Sequence, residues 1–137
     1  MMSTYVPAAL RRRVIERAGD RCEYCLFPQR LTLLAFEMEH IISEKHGGET
    51  SLENLALAYP YCNCAKGTDL GSIDPEINQL TPFFNPRVQN WQDHFSLDGA
   101  IIVPLTPEAR VSVSILQLND PDRVQEREQL LAIGQYP

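Results

Sequence analysis

The sequence predicts an α+β fold, with a compact ββα core, an N-terminal helix ahead of it, and a C-terminal extension of one strand and two helices. Three observations carry that expectation. The run from Leu31 to Ile42, LTLLAFEMEHII, is rich in strand formers and alternates with a two-residue period. A second apolar run, LALA from Leu55 to Ala58, follows a polar loop that turns at Gly47–Gly48. Gly67 then stands just after Lys66, where a short helix beginning near Cys62 is expected to stop. One domain is expected over residues 1–137, with the core at about 20–70 and a wrapping extension at about 71–137.

Each element has its own signals. Pro7 suits the first turn of the N-terminal helix. Leu10, Val14 and Ile15 recur at core-facing spacing, and Gly19 follows Ala18 as the stop. Cys22 and Cys25 follow on a tight turn. In the first strand, Phe36, Met38 and His40 fall on one face and Glu37, Glu39 and Ile41 on the other, with the strand or hairpin ending near His40. Pro60 is expected to interrupt the second strand. Residues 68–99 read as loop, punctuated by Pro75, Pro82 and Pro86, with Phe83, Phe84, Trp91 and Phe95 packing back on the core. Ala100 to Val103 reads as a buried strand. Thr106 caps a helix with Pro107 at its first position, running to about Leu118. Asp120–Pro121 opens the last helix, with Val124, Leu130, Leu131 and Ile133 expected inward and Gly134 at its end.

Composition narrows the function classes. With 44% hydrophobic and 22% charged residues, 7 Gly and 10 Pro, the chain is neither collagen-like, a coiled coil nor wholly disordered. No apolar run approaches the ~20 residues that span a bilayer. The first ten residues lack the basic-then-apolar order of a signal peptide, so a soluble, cytoplasmic protein with no membrane partner is expected. The net charge of −6 argues against a protein that coats nucleic acid by charge alone. It leaves room for an enzyme touching a few phosphates beside a bound cation. Residues 1–30 are the basic part, with six arginines against three acidic residues. Arg11, Arg12, Arg13 and Arg17 lie there on the N-terminal helix, as either a solvated face or a phosphate-binding one.

Two constellations carry chemistry. Cys22-x-x-Cys25 and Cys62-x-Cys64 have the look of thiolate metal ligands, since a cytoplasmic chain favours metal over disulfide. A second C-x-x-C would need its first thiolate at position 59, which is Tyr59, a poor ligand at neutral pH. Cys64 lies about 200° around a helix from Cys62 and does not easily replace it. Two readings therefore stand, an intact metal site or small buried reduced thiols.

The other constellation is Glu39–His40, then Asn54, then Asn63-x-x-Lys66. A carboxylate and an amide oxygen are hard ligands suited to Mg²⁺, and a neutral imidazole beside such an ion can deprotonate an attacking water. In a regular strand Glu39 and His40 point to opposite faces, so convergence requires the strand to end or bulge there. Asn63 and Lys66 share one helix face.

The order RCEYC … EMEHIISEKHGGETSLENLALA … CNCAKG resembles the HNH endonuclease family, whose ββα-metal fold carries an acidic residue and His, a middle Asn and a final Asn or His. The trailing stretches DPEINQLTPFFNPRVQNWQDHF and IIVPLTPEARVSV are similar to those of small bacterial, cyanobacterial-type members. The resemblance implies His40 as general base, Glu39 and Asn63 as ligands of a catalytic Mg²⁺ or Mn²⁺, and Asn54 as the brace of the long loop. It matches Cys22, Cys25 and Cys62 to three of four structural zinc thiolates, and Tyr59 departs from the fourth. It implies hydrolysis of phosphodiester bonds, most readily in DNA, to 5′-phosphate and 3′-hydroxyl ends. Lys66 and the four arginines are the candidates for backbone contacts, and no helix carries residues for major-groove readout. A rival reading is a catalytically inactive nucleic-acid-binding or structural module of the same fold. A third, a redox protein built on Cys22 and Cys25, lacks the βαβ context of such sites.

Overall fold

Pro7, at φ −58° and ψ 146°, starts α1 (Ala8–Ala18), and Gly19 stops it in the left-handed region at φ 65°. Val14 is the fully buried anchor of this helix, with Leu10 and Ile15 packed beside the core. In the computed structural model of the chain, residues 5–137 are described. The start of the N-terminal reading, residues 1–4, lies outside the described residues.

The central hairpin pairs β1 (Glu37–His40) with β2 (Leu55–Ala58), antiparallel, from Glu37 opposite Ala58 to His40 opposite Leu55. β1 is much shorter than the expected strand over Leu31 to Ile42. Its partner is only four residues long, bounded by the turn at Asn54 and by Tyr59–Pro60, so nothing is available to pair residues 31–36. Those residues instead leave a 3-10 turn at Gln29–Leu31, and the Gln29 side chain receives the Phe36 amide at 2.9 Å. All four residues of β2 are buried, because the hairpin is covered on both faces. α1 packs on one side, and Arg17 donates to Leu52 O and Leu55 O, each at 2.6 Å. The cysteine turn extends β2 on its free edge, where Glu23 N donates to Leu57 O at 2.9 Å and the Glu23 carboxylate accepts from Leu57 N at 2.8 Å.

α2 (Pro60–Lys66) begins two residues earlier than expected. Pro60 opens the helix as its first residue instead of merely interrupting the strand, since its missing N–H would be unpaired there anyway.

The C-terminal extension holds four strands and three helices where one strand and two helices are expected. β3 (Gly71–Asp74) and β4 (Gln79–Pro82) form a hairpin turning through Asn78 at φ 54°. Gly71 is required there, because a Cβ would lie 2.2 Å from Thr81 O. α3 (Trp91–His94) leads into β5 (Phe95–Asp98), which pairs with β6 (Ile101–Pro104). β3, β4 and β5 are four residues each, too brief for their alternation to stand out from loop. β6 meets the strand expected at Ala100 to Val103, though of its residues only Ile102 is buried and Ile101 is exposed. The aromatic reading of this stretch is matched by the packing. Phe83, Phe84 and Phe95 are buried, and Trp91 Nε1 donates to Tyr24 O at 2.9 Å.

α4 (Pro107–Ile115) is capped by Thr106, whose hydroxyl accepts from Ala109 N. It ends before Leu118 because the chain turns at Gln117, φ 53°. α5 (Pro121–Ala132) buries Val124 as expected, but Leu131 and Ile133 are exposed. Arg123 and Arg127 take the inward positions instead. Arg127 Nε donates to Ala100 O at 2.9 Å and Nη2 to Asn119 Oδ1 at 3.1 Å, which satisfies a guanidinium in a place that periodicity assigns to aliphatic side chains. The main buried cluster joins α1, the central hairpin, the cysteine turn and α4 around Leu55, Leu57, Phe95 and Leu116.

Candidate active site

Glu39 and His40 end β1, and the chain then leaves the sheet into the long loop. Adjacent residues of a strand face opposite ways, and here Glu39 turns into the core while His40 sits at the rim. Both nonetheless line one cavity of about 890 Å³, together with Asn63 from α2, Ser43 and Lys45 from the loop, and Arg11 from α1.

The two oxygens of Glu39 are already engaged. Tyr24 donates its hydroxyl to Oε2 at 2.6 Å, and Lys66 Nζ lies 2.6 Å from Oε1. Burial raises the Glu39 carboxyl above its ordinary 4.5, while the charge and hydrogen bond of Lys66 and the hydrogen bond of Tyr24 pull it back down. Lys66 also donates to Ile41 O at 3.0 Å and is buried. It therefore does not reach a phosphate from the surface, contrary to expectation; its stem is needed beneath β1, where it fills core space and offsets a buried carboxylate.

His40 Nε2 lies 2.9 Å from Thr50 Oγ1. Asn54 clamps the loop that carries Thr50. Its Oδ1 accepts from Ile42 N, and its Nδ2 donates to Ile42 O and Glu49 O, all at 2.9 Å. The Asn54 carbonyl also takes the Ile41 amide at 2.9 Å. Gly48 allows this closure, because a Cβ there would lie 1.7 Å from Ile42 O.

Of the arginines, Arg11 stands at the cavity rim, and Arg12 and Arg13 are exposed on α1. Arg17, exposed on the same helix, spends two of its donors on the backbone carbonyls of Leu52 and Leu55, which gives it a structural role.

The sulfurs of Cys22, Cys25 and Cys62 lie within 4.8 Å of one another, all buried, and Cys64 is exposed on the other side of α2. Tyr24 N and Cys25 N both donate to Cys22 Sγ at 3.4 Å. Burial pushes the Cys22 thiol up to about 12 and raises Cys62 as well. At Cys25 burial acts the same way but is outweighed by hydrogen bonds from Cys22 and Cys62 and by the Arg123 charge, which hold this thiol well below its ordinary value.

Three residues at these sites escape a reading of spacing alone, namely Tyr24, Thr50 and Arg123. Tyr24 lies inside the cysteine turn itself, and its place between Cys22 and Cys25 is the only signal for it. Thr50 sits in a polar loop where hydroxyls are common.

Residues 22–69 match the family model described as HNH endonuclease. The match covers about a third of the chain. No curated protein and no solved structure matches the chain. The matched span holds Glu39, His40, Asn54 and Asn63 together with the three buried cysteines, and it leaves α1 and the extension outside. An HNH domain implies nuclease-type activity on a nucleic acid and the use of a metal. Among the described residues no helix is long and apolar enough to cross a membrane.

The donor sets can be judged from this geometry. Glu39 and Asn63 both line the cavity that His40 lines, a carboxylate and an amide of the hard type. With Tyr24 on Oε2 and Lys66 on Oε1, however, a divalent ion at Glu39 would have to displace the Lys66 ammonium. The three thiols could hold a metal ion. They do not complete the closed four-ligand set of a structural zinc site, because Tyr59 directs its hydroxyl to Glu126 at 3.1 Å and Cys64 faces away.

Proposed function

We propose that this chain is an HNH endonuclease that hydrolyses phosphodiester bonds of DNA, with His40 activating the attacking water. The observation that supports it is the convergence of Glu39, His40 and Asn63 on one cavity with Arg11 at its rim. Held by Glu39 and Asn63, Mg²⁺ or Mn²⁺ would supply positive charge for the phosphoryl oxygens and the departing 3′ oxygen.

The rest falls to the protein. In the tautomer whose Nε2–H donates to Thr50 Oγ1, His40 has Nδ1 left to take the proton from water. General-base catalysis of this kind is worth about 10²–10⁴-fold. Asn54 fixes the loop on which Thr50 rides, so the imidazole is oriented before substrate arrives. Tyr24 and Lys66 hold Glu39 immobile in a buried place and oppose the upward push that burial gives its carboxyl. Arg11, Arg12 and Arg13 give backbone affinity without sequence choice.

The Lys66 ammonium beside Glu39 favours one rival, a module of the same fold that binds nucleic acid without cutting it, because a cation at that carboxylate competes with a metal. Supercoiled plasmid incubated with Mg²⁺, Mn²⁺ or EDTA, wild type beside His40→Ala, separates the two. Metal-dependent nicking that disappears in a folded His40→Ala is expected. Binding of the plasmid with no turnover in any divalent ion would leave the module as the better account.

A further inference from the structure

We propose that Arg123 occupies the fourth side of the cysteine knuckle and closes it in place of a metal ligand, so that the HNH core and α5 are joined there without zinc.

Four observations lead to this. Cys22 and Cys62 sulfurs stand 3.8 Å apart, with Cys25 completing a buried triangle. Tyr59 is placed one helical turn before Cys62, where a fourth thiolate would come, but its ring is stacked on Phe27 at 5.1 Å and set edge-on to Phe36 at 5.2 Å. Its oxygen is committed to Glu126 of α5, and burial together with that carboxylate keeps the phenol protonated.

Arg123 reaches in from α5. Nη2 donates to Cys62 Sγ at 2.8 Å, and the guanidinium carbon lies 5.6 Å from the centre of the Tyr59 ring. Nη1 donates to Leu116 O at 2.7 Å and Gln117 O at 3.0 Å, so the carbonyls that end α4 hold the group in place. A guanidinium stays protonated at any working pH and has no lone pair to give a metal. It offers donors and positive charge instead, which is what a cluster of buried sulfurs lacks once the metal is gone.

The same patch is tied down a second time, by Tyr136 near the C-terminus. Its hydroxyl donates to Cys25 O at 2.7 Å. Both contacts come from outside the span that matches the HNH family, so the extension supplies what a fourth ligand would supply from within it.

The test begins with the wild-type chain purified without chelator. Elemental analysis is expected to find zinc far below one per chain. EDTA is expected to leave the melting temperature unshifted, and a thiol reagent to label Cys64 alone with or without EDTA. One zinc per chain, or exposure of Cys22, Cys25 and Cys62 by EDTA, would overturn the proposal, because structural zinc domains unfold when the metal is removed. The double variant Tyr59→Cys/Arg123→Ala supplies a fourth thiolate and removes the guanidinium. It is expected to gain one zinc per chain and to acquire sensitivity to EDTA. A folded double variant that gains none would count against Arg123 as the group filling that side.

Discussion

Lys66 Nζ lies 2.6 Å from Glu39 Oε1, and both side chains are only 2% exposed. The pair joins the end of β1 to the last turn of α2, the two elements that bring His40 and Asn63 to the same cavity. A buried ion pair of this kind adds little net stability over apolar residues, but removing one partner leaves an uncompensated charge.

Lys66→Met is therefore expected to cost about 3–5 kcal/mol in urea unfolding at neutral pH. The pH dependence has a definite sign. Burial already holds Glu39 above 4.5, and loss of Lys66 raises it further. A carboxyl raised in the folded state binds more protons folded than unfolded, so it favours folding at low pH and loses that contribution as pH rises through its folded value. The deficit of Lys66→Met should shrink in acid and widen toward neutrality. A deficit independent of pH would show that Glu39 is not the partner that matters.

Thr50 orients His40, and a side chain that acts through another should show it in the rate and not in binding. Thr50→Val is expected to lower kcat by about 10–100-fold, the range found when partners that orient ligating imidazoles are removed. KM for DNA should hold, and Thr50→Ser, which keeps the hydroxyl, should restore activity. Activity kept in Thr50→Val but lost in Thr50→Ser would mean that the methyl group, as packing, is the part that counts.

What the sequence made legible divides along physical lines. The first helix, with Pro7 before it and Gly19 after it, and the capped helix after Thr106 are set by residues within one turn of their ends, so local chemistry suffices. The EH pair, Asn54 and Asn63 are named by their order along the chain. The true length of β1 was not legible, because it depends on how many residues β2 offers as partners. Nor was the inward turn of Arg123 and Arg127, since helical periodicity places aliphatic residues inward and says nothing of carbonyls arriving from another element. Lys66 looked like a surface cation for the same reason, and it finds its acceptor more than twenty residues away in sequence.

Arg11 and Arg17 lie on one helix and are expected to fail in different assays. Arg17→Ala removes two charge-assisted hydrogen bonds to Leu52 O and Leu55 O, and a loss of about 2–3 kcal/mol in stability is expected. Arg11→Ala removes only a charge at the cavity rim, so its melting temperature should hold while DNA affinity falls. The slope of log affinity against log salt should also drop by about one for Arg11→Ala. A stable Arg17→Ala with weakened DNA binding would return Arg17 to the contact set.

The loop between β1 and β2 depends on a close approach that one methyl group would prevent. A Cβ at Gly48 would fall 1.7 Å from Ile42 O and 2.8 Å from Asn54 Nδ2, so Gly48→Ala must displace the strand end or the clamp. Asn54→Ala leaves the backbone room but removes three hydrogen bonds, at a cost of about 1–3 kcal/mol. Both variants should speed hydrogen exchange at the Ile42 amide, and both should cut cleavage by lowering kcat, since the imidazole loses its support through Thr50. They differ in what a short polar substitution can repair. Asn54→Asp keeps the acceptor for Ile42 N but sets a carboxylate against two carbonyls, so it should recover little, whereas no side chain at all fits at position 48. Full cleavage by Gly48→Ala with a slow Ile42 amide would mean the loop closes by another route and that its rigidity is not what orients His40.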